Sequence, residues 1–359
     1  MTNLYFPQED VVIGKMKALF EGAGYTAYKV RKFEEYSLYL ENRSFLSDDH
    51  IITMSDQNGR LLALKPDITL SIVKNSKARL GNTEKLYYRE SVYRFDKHSH
   101  EYQEISQVGV ELIGDVGVVE ETEMLILALN SLKCLGGKYK LSLSHMGFLS
   151  LVLDDLGLSI RAKEEVTQQI GAKNAHDLRK MLLESNVDEA RANALIQLIQ
   201  ENAGEKQKVL ALALASTPEA KAAITSLFAL VDTLSLLGYG EEVSVDFSCV
   251  SQMEYYTGIV FKGYAEGLSK AVLSGGRYDK LAQKFTPSIG AIGFAVYLGE
   301  LLYHQMPKEY DTDVLLLYGE GTSPSAVIAK AQEIRATGES VRIANSIPDG
   351  LRYRRQISL

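Results

Sequence analysis

The sequence predicts an α+β protein: a strand-rich domain flanked by helices, interrupted by a block of helices and followed by a small β-α-β piece. Three observations carry this. Two strand-like runs, 91–95 and 105–113, flank a polar stretch; the segment from about 148 to 237 is almost all helix-forming; and strand-like sequence resumes at 243. With 359 residues, 46% hydrophobic and 24% charged, the chain has the length of about two domains and the balance of a folded globular protein.

In chain order, Val12, Met16, Leu19 and Phe20 recur at helical spacing within 8–21, and Gly22 and Gly24 close that opening helix. The run 25–40, rich in aromatic and β-branched residues, reads as extended. Pro66-Asp67 is a turn signal between two apolar stretches, with Thr69 and Leu70 beginning a helix. DKHSHEYQ (96–103) reads as the loop between the two strand runs, and Gly114-Asp115 as a turn. Met124, Leu127, Ala128, Leu132 and Leu135 mark a helix over 119–135, stopped by Gly136-Gly137, and 139–144 alternates as a strand.

Inside the helical block the stripes Leu195, Leu198, Ile199 and Ile224, Leu227, Phe228, Val231 predict amphipathic helices, and Thr217-Pro218-Glu219 is a helix start. Strand signals return at 243–247, 255–261 and 289–295. The β-α-β piece takes 314–318, 325–335 and 340–344. The predicted division is therefore 1–147 with 240–308, an insertion at 148–239, and a partial α/β unit at 309–359.

Acidic residues number 46 against 39 basic, a net charge of −7 with no basic run, which argues against a generic nucleic-acid surface. Arg352, Arg354 and Arg355 read as a solvated tail. Two cysteines, Cys134 and Cys249, are too few for a disulfide framework and suit a reducing cytoplasm. Glu9 and Asp10 precede any apolar run, unlike a signal peptide, and no uninterrupted apolar stretch approaches the ~20 residues of a membrane span. A cytoplasmic location with no membrane contact is expected.

Asp67, Thr69, Arg94, Gln107 and Glu111 are the first candidate site residues. Gln107 and Glu111 are four apart on a predicted strand, so they share a face, with Gly109 between them leaving room for a ligand; a solvated outer face is the alternative. Tyr255, Tyr256, Arg277, Tyr278 and Asp279 form a second polar and aromatic cluster, for which ordinary core packing is the alternative. His98-Ser99-His100 has no third ligand nearby and is not expected to bind metal. No phosphate loop, HExxH or GxSxG elbow is present.

Taken together, LKPDIT (64–69), VYRFD (92–96), SQVGVELIG (106–114), EYYTGIVF (254–261), SGGRYDKL (274–281) and AIGFAV (291–296) resemble the histidyl-tRNA synthetase family over roughly 5–305, and within it the regulatory subunits of ATP phosphoribosyltransferase. The resemblance implies a class II aminoacyl-tRNA synthetase-like antiparallel sheet flanked by helices, a helical insertion, and a self-dimer. It implies a histidine pocket with Asp67, Thr69 and Gln107 around the α-ammonium and Glu111, Tyr256 and Tyr278 around the imidazole; Arg94 is a candidate contact for the carboxylate. Acceptors suit an ammonium, and a carboxylate with a phenol can read an imidazole nitrogen.

The chain departs from the synthetase pattern where arginines grip ATP. Glu101 and Gln103 stand at loop arginines, Ser251 and Gln252 at the arginine and glycine before the YYTG motif, and Tyr297-Leu298-Gly299-Glu300 where the family reads Gly-Leu-Glu-Arg. Arg31 lies near the place of the first motif's proline. Losing one transition-state donor costs about 10²–10³ in rate, so adenylation is expected to be dead and no residue is assigned a catalytic role. The expected function is a non-catalytic subunit, without cofactor or metal, that assembles with the short-form catalytic subunit as a hetero-octamer and confers feedback inhibition by L-histidine in histidine biosynthesis. The alternative is a histidyl-tRNA synthetase of reduced activity. A full anticodon domain needs more than the ~50 residues after Pro307, so tRNA binding is not expected.

Overall fold

Two long paired strands organise the larger part of the chain. The computed structural model describes residues 9–46, 50–96, 99–202, 204–250, 255–299 and 309–359, in two units, Met1–Gln305 and Met306–Leu359. In the first, β5 (Glu84–Asp96) and β6 (Glu101–Gly114) form an antiparallel hairpin in register from Glu84↔Ile113 to Asp96↔Glu101. Both are longer than predicted, and half of the polar stretch 96–103 belongs to the strands rather than to a loop, because ladder hydrogen bonds form regardless of side-chain polarity at an exposed hairpin end.

The sheet has eight strands in the order β1-β5-β6-β11-β10-β9-β7-β8, with β1 at Thr26–Ala27, β7 at Tyr139–His145, β8 at Val243–Val245, β9 at Ile259–Ala265, β10 at Leu273–Arg277 and β11 at Gly290–Tyr297. Its body is antiparallel, as expected; only the edge pairs β1/β5 and β7/β8 are parallel. Val108, Val110, Leu112, Phe294 and Val296 face one side, where α1 (Glu9–Gly22) and α4 (Val118–Leu135) bury Val12, Met16, Phe20, Met124 and Leu132 against them. The intervening residues face the other side, against α3 (Thr69–Asn75) and α11 (Asp279–Gln283).

Two local expectations are corrected. Within 25–40, α2 (Tyr36–Glu41) is a helix that buries Leu38 and Tyr39, because these two side chains reach the second core from one helical face. Beside it β2 (Phe33–Glu35), β3 (Thr53–Ser55) and β4 (Leu61–Leu64) make a small antiparallel sheet. Residues 255–258 are not strand: Tyr255 and Tyr256 leave the sheet as a turn, and β9 starts at Ile259.

The central block is helical throughout, from α5 (Met146–Asp155) through α6 (Ile160–Gly171), α7 (Ala175–Glu184), α8 (Glu189–Gln200), α9 (Gly204–Leu214) and α10 (Pro218–Leu234). Side chains of Ser159, Asn174, Asp188 and Thr217 cap four of these at their first turns. By length and mean hydropathy 218–239 passes as a membrane-length helix, although Glu219, Lys221 and Asp232 interrupt it. Its Ala220, Ile224, Leu227, Phe228, Leu230 and Leu234 are instead buried in the core shared with the sheet.

The second unit holds β12 (Thr312–Leu317), α12 (Pro324–Ala336), β13 (Val341–Ala344) and β14 (Tyr353–Ser358) in a parallel sheet ordered β13-β12-β14 over Leu316, Val327 and Ala331. The segment read as a solvated tail is thus ordered, although its arginines stay exposed. Arg354 and Arg355 lie on β14; Arg355 pairs with Glu339, and Arg352, just before the strand, pairs with Asp311. Backbone pairing to β12 decides this, and composition does not reveal it.

Candidate functional site

On the face opposite α1 and α4 the sheet carries a polar floor. Its rows follow from register: Glu111 lies opposite Gly293, which lies opposite Gly276; Tyr88, Gly109, Ala295 and Ser274 form the next row; Gln107 and Tyr297 the third. Small residues in the middle of the sheet leave a hollow above it. The resulting cavity, about 180 Å³, is lined by Asp67, Thr69, Arg94, Gln107, Glu111, Tyr256 and Tyr278, so all seven residues that the resemblance assigns to a histidine site meet in one place, while Arg277 and Asp279 of the second cluster do not line it.

The PDIT turn reaches the floor from above. β4 ends at Leu64, and Lys65, 1% exposed, is anchored by its ammonium to Glu90 (2.6 Å), whose other oxygen accepts from the Val30 amide. The Lys65 backbone also donates to Lys32 and accepts from Tyr93. Two residues on, Asp67 accepts from the Leu70 amide at 2.8 Å in the first turn of α3. Arg94 completes the link: its Nε donates to the Pro66 carbonyl at 2.9 Å and its guanidinium stands 3.6 Å from the Asp67 carboxylate.

Glu111 is the hub. One oxygen accepts from the Thr69 hydroxyl at 2.7 Å and the other from the Tyr278 hydroxyl. Gly293 is what permits this, since a Cβ there would stand 1.8 Å from Oε2 of Glu111. Burial pushes the Glu111 pKa up to about 8, against the pull of the Tyr278 and Thr69 hydroxyls and with the Asp67 charge adding to the rise. Burial also raises Asp67, opposed by Arg94 and the amides of Leu70 and Thr69. The phenols of Tyr88, Tyr255, Tyr256 and Tyr278 are pushed up by burial and stay neutral donors.

The room expected above Gly109 is taken by protein: a Cβ there would meet the Tyr88 ring and hydroxyl at 2.5 Å. Gly109 therefore admits Tyr88, which sits directly across the ladder. Tyr255, named in the second cluster, also lines the cavity, as do Tyr88, Phe45, Ser274 and Tyr297, which were not singled out as site residues. Tyr278 is held by its neighbours: Arg277 bonds Asp279 (2.9 Å) and Glu121 (2.9 Å) on α4, while Asp279 accepts from the Ala291 amide. Of the positions that depart from the synthetase pattern, Glu101 is exposed and Gln103 donates to Asp96 across the hairpin. Ser251, Gln252 and Glu300, with Glu254 and His98, lie outside the described residues. No cluster suited to a metal ion occurs among the described residues.

The profile of the family described as Histidyl-tRNA synthetase matches residues 7–301. The chain belongs to the histidyl-tRNA synthetase family. Among its relatives, the ATP phosphoribosyltransferase regulatory subunit of Clostridium acetobutylicum is 30% identical over 287 residues, 78% of this chain and 70% of that protein. That of Desulfitobacterium hafniense strain Y51 is 29% identical over 299 residues, 82% and 77%. A crystal structure from Bacillus halodurans, described as an ATP phosphoribosyltransferase regulatory subunit/histidyl-tRNA synthetase, aligns over 100% of this chain and 98% of its own at a TM-score of 0.81 and 25% identity. Histidyl-tRNA synthetase from Nostoc sp. PCC 7120 shares the family fold at a TM-score of 0.78 and 15% identity, over 97% of this chain and 85% of its own.

Proposed function

We propose that this chain is a regulatory subunit of ATP phosphoribosyltransferase that binds free L-histidine in the cavity over Glu111 and performs no adenylation itself. The observation that carries this reading is the meeting of Asp67, Thr69, Gln107, Glu111, Tyr256 and Tyr278 around a polar-lined cavity of about 180 Å³, in a chain whose relatives bear the regulatory-subunit name. Two carboxyl groups and a ring of hydroxyls suit a small ligand with an ammonium and an imidazole. A single guanidinium, Arg94, suits its carboxylate.

Polyphosphate is poorly served here. Glu101 and Gln103 stand where the synthetase pattern has arginines, and Ser251 and Glu300 replace two more, so the transition-state charge of adenylation lacks donors. In the cell the chain would pair with a second copy and assemble in the cytoplasm with short-form catalytic subunits as a hetero-octamer. It would enable condensation of ATP with phosphoribosyl pyrophosphate and pass on inhibition by histidine. That inhibition requires histidine to favour one state of the assembly by about 1–3 kcal/mol.

The test is phosphoribosyl-ATP formation by a purified short-form catalytic subunit with and without this chain, repeated across a histidine titration. Activity that depends on this chain and falls with histidine is expected. ATP–pyrophosphate exchange by the chain alone, dependent on histidine, would overturn the reading in favour of a synthetase.

A further inference from the structure

The floor of the cavity is uneven in one direction. Along β11 its inward residues run Gly293, Ala295, Tyr297, so that the two positions beside Glu111 and Gly109 are nearly bare while the third carries a large ring. Tyr297 lies opposite Gln107, at the far end of the floor from Glu111, roughly 13 Å away at ~3.4 Å per residue. Its hydroxyl is fixed by Ser274 of β10 at 2.6 Å, a diagonal neighbour through Ala295. Ring and hydroxyl together make a wall held from below by the sheet.

Along the strands Arg94, opposite Gln103, and Gln107 lie toward one end, whereas Glu111, bonded by Thr69 and Tyr278, lies toward the other. A histidine whose imidazole engages Glu111 therefore directs its carboxyl group toward Arg94 and Tyr297. The space left is small: 180 Å³ falls below the ~300 Å³ at which ordinary small-molecule pockets begin. A space of that size suits a free amino acid better than one whose carboxyl group carries a second bulky moiety.

We propose that Tyr297, braced by Ser274, is a specificity-determining residue that closes the carboxyl end of the histidine pocket, admitting the free amino acid and excluding carboxyl-extended forms such as acyl-adenylates. This rests on the histidine-binding reading above and adds to it what the site refuses. A sensor so built reports the free amino-acid pool and ignores activated or esterified histidine, because a fixed wall discriminates by steric exclusion rather than by an added attraction.

Calorimetry on the full chain, with L-histidine and a non-hydrolysable histidyl-adenylate analogue as probes, tests it. The wild type is expected to bind histidine and to bind the analogue at least 100-fold more weakly. Tyr297→Ala should narrow that ratio at least tenfold, and Ser274→Ala, which frees the ring without removing it, should narrow it in the same direction by less. Wild-type affinity for the analogue equal to that for histidine would overturn the wall, even if the substitutions proved unfoldable. So would a ratio unmoved in both folded variants. Failure of histidine itself to bind would instead remove the site reading, and this proposal with it.

Discussion

At the scale of single residues, Glu111 sets the behaviour of the site. Its carboxyl is buried, is hydrogen-bonded by Thr69 and Tyr278, and titrates near pH 8 rather than near its ordinary value. The folded state thus holds a proton that the unfolded chain releases near pH 4.5. The resulting stability is fully present below that pH and is lost as the pH rises toward 8. Glu111→Gln should flatten the fall in melting temperature between pH 5 and 8 and raise the melting temperature at pH 8. The same change should weaken histidine binding by about 0.5–1.5 kcal/mol, the scale of one hydrogen bond altered at a neutral carboxyl, as read by calorimetry. An unaltered pH slope together with unaltered affinity would show that Glu111 neither titrates nor binds as described.

Lys65 illustrates a residue whose role is mechanical. Its ammonium is buried against Glu90, and removing one partner of such a pair leaves an uncompensated charge. Lys65→Ala should cost about 3–5 kcal/mol in denaturant unfolding. Replacement of both partners by apolar residues of similar volume should cost far less, since the pair's own net contribution is small.

At the scale of elements, the cap of α10 offers a clean separation of stability from function. The Thr217 side chain accepts from the Ala220 amide at 3.1 Å and Pro218 occupies the first turn. Thr217→Ala should lower stability by about 0.5–2 kcal/mol with histidine affinity unchanged, because the helix carries no pocket residue. Loss of histidine binding in the folded variant would tie the insertion to the site. Gly293→Ala is the converse case on β11: a Cβ would collide with the Glu111 carboxylate and approach the Val110 carbonyl to 2.5 Å. Abolished binding with a stability loss of roughly 1–3 kcal/mol is expected, measured by calorimetry and thermal unfolding.

For the whole molecule, the two units make separable predictions. Leu316 is fully buried in the second unit's small core, so Leu316→Asp should unfold the unit over residues 309–359. Histidine affinity should persist, since all the pocket residues belong to the first unit. Hydrogen exchange would read the two effects separately; protection retained over 312–358 would contradict the assignment of that core.

The sequence by itself determined what local rules govern. Helices α1, α4 and α10 are written in 3.6-residue periods and capping residues, and the strands β6, β7 and β11 in alternation; the seven pocket residues could be named because they sit in short motifs. Tertiary structure decided the rest. Tyr36–Glu41 carries two tyrosines in a run that reads as extended, yet is helical, because a second core buries Leu38 and Tyr39. The arginine-rich end is a strand because β12 presents a free edge, a pairing partner roughly forty residues away that no local window contains. Tyr88, Ser274 and Tyr297 enter the site only through cross-strand register, which places residues from distant strands in one row and is fixed by the burial of a whole face. The raised pKa of Glu111 is likewise a property of that enclosure: a glutamate in a strand motif announces a carboxylate, and only burial among hydroxyls and a second acid makes it a proton-holding one.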